Sequence, residues 1–420
     1  MIPAFRVRIS EMNVLAKGMT RFEPFHGLRY DVTLAPLPEV ISPPYDVVDA
    51  TERKELAARS PYNAIHVELP EPEGDLDRYA HAAQLFGQWQ ELGGLCLDET
   101  PSLYLYRMSF IDELGAARAT TGVIGALAID FEGAGTVLPH ERTMPKPKGD
   151  RLDLLRATKM NVSPIWGLSL ASGLAEELAA ITQTTAPIGS AADDEETTHE
   201  LWVVSNPLAI KKICALIATT PIVVADGHHR YETAGYYRAE VREANGDQPG
   251  AHDLLMALIV ELTPNELVVQ GIHRLISALP EDFDIVDAFS PWFSISEGPS
   301  DIRDLSSALV PAGALGLVTK GGNYLMVPSA ELVAKADADL DSSRLDEALA
   351  SLPEHTLVYQ HGTSNCARLV EDGAAQFAVL LRPATVAQIA ETAHSGKRMP
   401  PKTTFFNPKP RTGMVYRPVS

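Results

Sequence analysis

The window Pro221–Ala234, Pro-Ile-Val-Val-Ala-Asp-Gly-His-His-Arg-Tyr-Glu-Thr-Ala, gathers four functional residue types between Asp226 and Arg230. A short β-branched run, Ile222 to Ala225, passes through Asp226-Gly227 into a helical pattern with Tyr231, Ala234, Tyr237 and Val241 on its apolar face. Such a strand–turn–helix presents unpaired N–H groups with partial positive charge, which suit a phosphate oxygen. Gly227 permits positive φ or a close approach by a ligand. Arg230 can then clamp an oxyanion, His228 and His229 can donate to a phosphoryl group, and Asp226 can hold a metal ion or orient a hydroxyl. The same residues admit a structural account: Asp226 caps the helix, Gly227 makes the turn, one histidine is buried against a carbonyl and Arg230 pairs with an acid. The concentration at a strand end favours a site. Joint metal ligation by His228 and His229 is not expected, because adjacent helical residues point about 100° apart.

A second window, His140-Glu141-Arg142-Thr143-Met144-Pro145-Lys146-Pro147-Lys148-Gly149-Asp150-Arg151, is followed by Asn161-Val162-Ser163-Pro164. Met144 stands where a zincin needs its second histidine, so that class is excluded. Lys146, Lys148 and Arg151 around stiffening prolines can neutralise phosphates, and Glu141 can act as general base on a substrate hydroxyl; a solvated basic loop is the alternative. Ser42-Pro43-Pro44-Tyr45-Asp46 and Ser60-Pro61-Tyr62-Asn63 place polar groups in rigid turns, which can serve a site or be folding punctuation, and the second reading is favoured. Tyr359, His361 and the tail Met399–Lys409, which includes Lys402, can close over an anion or pack on the core with the lysines in water. The P-loop, the dinucleotide-binding glycine pattern and the G-x-S-x-G elbow are all absent from the sequence.

These windows sit in a chain of 420 residues, which at about 150 residues per domain predicts two or three domains. A composition of 45% hydrophobic and 21% charged residues is that of a globular protein. The formal charge of −20 argues against nucleic acid as a partner. Two islands depart from that average. Gly396–Ser420 holds Lys397, Arg398, Lys402, Lys409, Arg411 and Arg417 without an acid, and His140–Met160 holds six basic residues against Glu141, Asp150 and Asp153. Cys96, Cys214 and Cys366 are odd in number and widely spaced, so neither a disulfide framework nor a zinc cluster is expected, and a cytoplasmic setting fits best. No apolar run is long enough to span a membrane.

Apolar runs alternate with helical patterns, which predicts an α/β (mixed α+β) fold. Expected strands are Ser102–Phe110, Gly122–Asp130, Pro164–Leu170, Leu201–Ser205, Ile222–Ala225, Leu254–Glu261, Ala314–Thr319 and Gln376–Leu381. Expected helices are Asp49–Ser60, Leu76–Leu92, Pro207–Ala218, His229–Asn245, Arg344–Leu352 and Thr385–His394. Asn206 before Pro207 is a helix start, and Thr385 with Gln388 is a capping box. Thr185–His199 reads as a surface loop or linker, and Glu297–Asp304 as a weaker break. Residues 1–19 read as an N-terminal extension, 20–184 as an α/β region, 200–275 as the core bearing the Asp226 motif and 281–420 as a second α/β region.

The chain is identified as a member of the bacterial and archaeal family grouped as domain of unknown function 1015. The resemblance lies in S-P-P-Y-D-V from Ser42, P-Y-N-A-I-H-V-E-L-P from Pro61, H-E-R-T from His140, D-R-L from Asp150, N-V-S-P-I from Asn161, A-D-G-H-H-R-Y-E-T-A from Ala225 and M-P-P-K-T-T-F-F-N-P-K from Met399. The D-G-H-H-R segment alone resembles the nucleotide-contacting box of the ParB and sulfiredoxin-like superfamily, in the form carried by free-serine kinases. That resemblance implies phosphate contacts for Gly227, His228, His229 and Arg230, a metal or catalytic role for Asp226, and an upstream glutamate base for which Glu141 is the candidate.

The expected function is therefore a small-molecule phosphotransferase using ATP or ADP, with Mg²⁺, on a hydroxylated metabolite such as serine. Its site takes Asp226, His228, His229 and Glu141 as catalytic residues, Gly227, Arg230, Lys146, Lys148, Arg151 and Lys402 as phosphate contacts, and Asp226 as metal ligand. The alternatives are a ParB-like nucleotide-binding regulatory module and a phosphatase using the same site. Expected partners are the nucleotide and a small-molecule substrate, with no membrane; the sequence leaves the oligomeric state open.

Overall fold

The computed structural model describes residues 19–112, 115–130, 133–139, 149–395, 399–400 and 402–419. It is a mixed α/β structure, and contacts divide the described residues into two units, one of 19–139, 149–266 and 408–419 and the other of 267–407. Among the described residues, no helix is long and apolar enough to cross a membrane.

Nine strands of the first unit form one sheet among the described residues. Its order is Val137–Pro139, Ile222–Asp226, Ile165–Ser169, Leu254–Glu261, Ala117–Ala128, Leu103–Ile111, Thr198–Val204 and Gly189–Ala192, and Phe22–Glu23 also pairs with Ala117–Ala128. Ile222–Asp226 runs parallel to Val137–Pro139 and antiparallel to Ile165–Ser169, which in turn is parallel to Leu254–Glu261. Leu254–Glu261 is nearly all apolar because it is buried along seven of its eight residues. Strand alternation sends Leu103 and Leu105 to a core shared with Val123, Ile165, Ile213 and Ala234. It sends Tyr104 and Tyr106 to the opposite face, where they are equally buried.

The helix start at Asn206 forms as its residues predict: the side chain accepts from Leu208 and Ala209 N–H at 2.9 and 3.2 Å, and Pro207 takes the first position. Thr185–His199 is corrected from loop to hairpin. Gly189–Ala192 pairs antiparallel with Thr198–Val204, and Asp193 holds the turn by accepting from Glu195 and Thr197 N–H at 3.0 and 2.9 Å. An edge strand with one buried residue in four needs little apolar character, so its composition reads as loop.

The second unit is built on six antiparallel strands in the order Phe293–Glu297, Gly322–Pro328, Leu315–Thr319, Phe377–Leu380, His273–Ser277 and Thr356–Gln360. Alternation again divides the side chains. Ile276, Leu317 and Val379 join a core with Phe289, Leu332 and Leu345, whereas Leu275, Val318 and Ala378 join another with Leu305, Cys366 and Val370. The expected break Glu297–Asp304 is instead the end of a strand and the start of the helix Ile302–Ala312, where Asp301 accepts from Arg303 and Asp304 N–H. The Thr385–Gln388 capping box is present, with reciprocal bonds of 2.9 and 3.2 Å.

Candidate functional site

Ile222–Asp226 is buried through Ala225, and the register against Ile165–Ser169 shifts between Val224 and Asp226. Such a bulge re-aims the side chain at a strand end. Gly227 follows at φ 88°, a left-handed conformation that favours glycine, and a Cβ there would stand 3.0 Å from both Arg230 Nε and Ile165 Cγ2. The helix His228–Ala244 starts from Gly227, which has no side chain to cap it, and Tyr231 N–H donates to Gly227 O at 2.9 Å. Asp226 does not cap the helix, and the N-cap position has no side-chain hydrogen bond.

Asp226 instead joins an ion triad. Lys409 Nζ donates to its Oδ1, and Arg230 Nη2 donates to its Oδ2 at 2.6 Å. Arg230 Nη1 also donates to the Pro164 carbonyl, which ties the helix to the neighbouring segment. All three side chains are largely shielded from solvent. Burial by itself would raise the Asp226 carboxyl, but Lys409, Arg230 and His228 outweigh it and hold the group well below the usual carboxylate range. Two cations on one carboxylate leave the triad itself with an excess positive charge at the helix start, an arrangement suited to an oxyanion. The fit to a resident metal is poor. Both Asp226 oxygens already serve cations, and no group of three or more His, Cys, Asp or Glu stands ready for a metal among the described residues.

Three other sequence windows converge beside Arg230. Arg151, in the helix Gly149–Thr158, donates from Nη1 to the Glu68 carbonyl at 2.7 Å and from Nε to Asp150 at 2.8 Å, with its guanidinium 4.4 Å from the centre of the Tyr45 ring. Glu68 ends the short helix Ile65–Glu68 and is fully buried; its Oε1 accepts from Ser163 Oγ at 3.1 Å and from Tyr45 N–H at 3.3 Å. Tyr45 and Asp46 lie close enough to act electrostatically on Arg230, so the Ser42–Asp46 window belongs to this neighbourhood. Ser42 exchanges two backbone bonds with Thr412, 3.1 and 2.8 Å, which fastens the window to the returning tail. A cavity of about 60 Å³ lies between Glu68, Arg151, Asn161, Ser163 and Arg230.

His228 and His229 are the first two residues of the motif helix, and His229 Nδ1 is 3.8 Å from Glu232 Oε2. Arg151 lines the cavity with Arg230. Lys402 lies in the second unit, where its carbonyl accepts from Arg274 Nη2 at 3.1 Å. Glu141, Lys146 and Lys148 lie outside the described residues. Lys409, Glu68 and Tyr45 also stand beside this turn; sequence reasoning places Lys409 only in the tail that can close over an anion and Tyr45 only in a rigid turn, and does not single out Glu68. Lys409 stood in the basic tail and the other two in the S-P-P-Y-D and H-V-E-L-P segments, so position within motifs was the available signal. Among the described residues the tail's arginines are also committed: Arg411 binds Asp193, and Arg417 donates to the carbonyls of Leu254 and Ala251 at 2.9 and 2.8 Å.

Fold and site together define a mixed α/β protein with an ion-paired strand–turn–helix box. The chain belongs to the family described as a protein of unknown function (DUF1015), which it matches over residues 22–353. No curated protein matches it. Among solved structures it is similar to a conserved hypothetical protein from Pyrococcus furiosus, with a TM-score of 0.35 and 12% identity over 67% of this chain and 90% of that one. It is also similar to a free serine kinase in complex with AMP, with a TM-score of 0.33 and 13% identity over 64% and 83%. SbnI with a C-terminal truncation from Staphylococcus aureus gives 0.35 and 11% over 68% and 82%.

Proposed function

We propose that this protein is a phosphotransferase that moves a phosphoryl group from ATP or ADP to a hydroxylated metabolite such as serine. The observation that carries the reading is the triad of Asp226, Arg230 and Lys409 at an uncapped helix start. Phosphoryl transfer needs chiefly positioning and neutralisation of oxygen charge, and a helix N-terminus beside two buried cations is suited to both. The D-G-H-H-R resemblance to free-serine kinases supports the same reading, and the ParB/sulfiredoxin-like description of the core rests on that box.

In this scheme the terminal phosphate oxygens lie at the N–H groups of His228–Arg230, with Arg230 and Lys409 against them. His228 and His229 donate to the transferred group, and Asp226 keeps the two cations in place. The acceptor oxygen forms a bond to phosphorus, the bridging oxygen leaves with the nucleotide, and the hydroxyl proton passes to a carboxylate base, for which Glu141 is the candidate on its sequence alone. Lys146 and Lys148, outside the described residues, and Lys402 enter as phosphate contacts on their sequence alone. Arg151 holds the Glu68 segment. Mg²⁺ would arrive with the nucleotide, and no step is assigned to it.

The test is to incubate the full chain with Mg²⁺, ATP or ADP and a panel of hydroxy amino acids, following products by phosphorus NMR. A phosphomonoester formed at the expense of nucleotide is expected. Nucleotide binding without product would favour the regulatory module, and phosphate release from phosphoserine the phosphatase. Failure to bind nucleotide at all would overturn the reading.

A further inference from the structure

The cavity beside Arg230 is walled by two residues with complementary unmet needs. Oε1 of the fully buried Glu68 carboxyl has two donors, whereas Oε2 is buried and has no hydrogen-bond partner among the described residues. The Arg230 guanidinium spends Nη1 on Pro164 and Nη2 on Asp226, and its Nε–H is likewise buried without an acceptor. Leaving either atom unsatisfied is costly, the more so because both groups are charged. One small group that is both donor and acceptor serves both.

The chemistry of that group follows by elimination. An ammonium donates to Glu68 but offers nothing to Arg230 and adds positive charge beside it. A carboxylate or phosphate oxygen accepts from Arg230 but meets the Glu68 charge. A hydroxyl has both the donor that Glu68 Oε2 lacks and the acceptor that Arg230 Nε lacks. The apolar wall, including Leu154, Ile165, Ala234 and Leu255, suits the carbon that bears it. About 60 Å³ is several times the roughly 10–15 Å³ needed by one water, which is room for a hydroxymethyl end and too little for a nucleotide.

We propose that this cavity is the subsite for the hydroxyl of the acceptor, and that Glu68 is a positioning residue that makes the protein select hydroxylated ligands over their deoxy counterparts. The inference takes from the proposed function only that the acceptor carries a hydroxyl. In Glu68→Gln the carbonyl stays with Ser163 and Tyr45 N–H, so the amide nitrogen turns a donor toward the cavity and the complementarity is lost.

Binding to the full chain is measured by calorimetry, without nucleotide, for the pairs L-serine and L-alanine, L-homoserine and L-2-aminobutyrate, and glycerol and propane-1,2-diol. ADP is titrated separately. The hydroxylated member of at least one pair is expected to bind at least tenfold tighter, and Glu68→Gln is expected to reduce the ratio below threefold while ADP affinity changes less than twofold. Ala234→Val, which fills the cavity and leaves both polar groups in place, gives the same loss and covers the case in which Glu68→Gln does not fold. No discrimination in any pair, as when the cavity takes water only, or discrimination that survives in the folded variants, overturns the inference. Absence of ADP binding overturns the nucleotide reading and leaves the paired-ligand result to stand or fall by itself.

Discussion

Lys409 and Asp226 lie 183 positions apart in the chain and meet as an ion pair, Nζ on Oδ1. The contact gives one charge of the basic tail a partner in the acidic chain. One end of the tail's charge is spent inside the first unit, at the strand end where the motif helix begins.

Lys409→Met removes one of the two cations from Asp226. Breaking a buried pair costs about 3–5 kcal/mol, and because Arg230 remains the lower end is expected. The Asp226 carboxyl sits below its ordinary value in the folded protein, so its contribution is present above about pH 4 and is lost as the pH falls further toward the folded-state value. Urea unfolding at a series of pH values should show a wild-type decline below about pH 4 that is shallower in Lys409→Met. Equal acid slopes in the two proteins would show that the pair contributes nothing.

Gly227→Ala places a Cβ at φ 88° and 3.0 Å from Arg230 Nε and Ile165 Cγ2. The left-handed conformation costs an L-residue about 1–2 kcal/mol, and Arg230 must shift as well. Thermal unfolding should show the loss, and nucleotide affinity should fall with it because Arg230 is displaced from Asp226.

Asn206→Ala is expected to cost about 1 kcal/mol, the usual worth of a helix N-cap, in urea unfolding, with no change in nucleotide affinity. This cap was legible because every part of it is local: Asn206, Pro207 and the two amides it serves are consecutive in sequence. The Thr385–Gln388 box and the strand Leu254–Glu261 were legible for the same reason. Gly189–Ala192 was not, since an edge strand with one buried position carries almost no apolar pattern. Val137–Pro139 and Thr356–Gln360 are strands only by virtue of distant partners. The site was half legible. Asp226, Gly227 and Arg230 are neighbours in sequence, whereas the meeting of Lys409, Glu68 and Tyr45 with that turn depends on long-range packing that no local spacing encodes.

His273, in the second unit, gives an independent acid response. Burial, with Arg274 and His361 nearby, lowers its pKa to about 4, and the neutral Nδ1 accepts from Leu381 N–H at 3.2 Å. The unfolded histidine takes its proton near pH 6.5, before the folded one does, so stability is lost as pH falls from about 6.5 toward 4. At about 1.4 kcal/mol per pH unit the loss at pH 5 is about 2 kcal/mol. Urea midpoints at pH 7 and pH 5 should differ accordingly in the wild type and much less in His273→Gln.

The central claim is that the turn at Gly227 binds the phosphates of a nucleotide, and a crystal of the full chain soaked with ADP and Mg²⁺ tests it most directly. The account predicts phosphate density at the N–H groups of His228–Arg230, with Lys409 and Arg230 against the phosphate oxygens. ADP bound elsewhere with this turn unchanged, or no ADP density together with no heat of binding in solution, would contradict it.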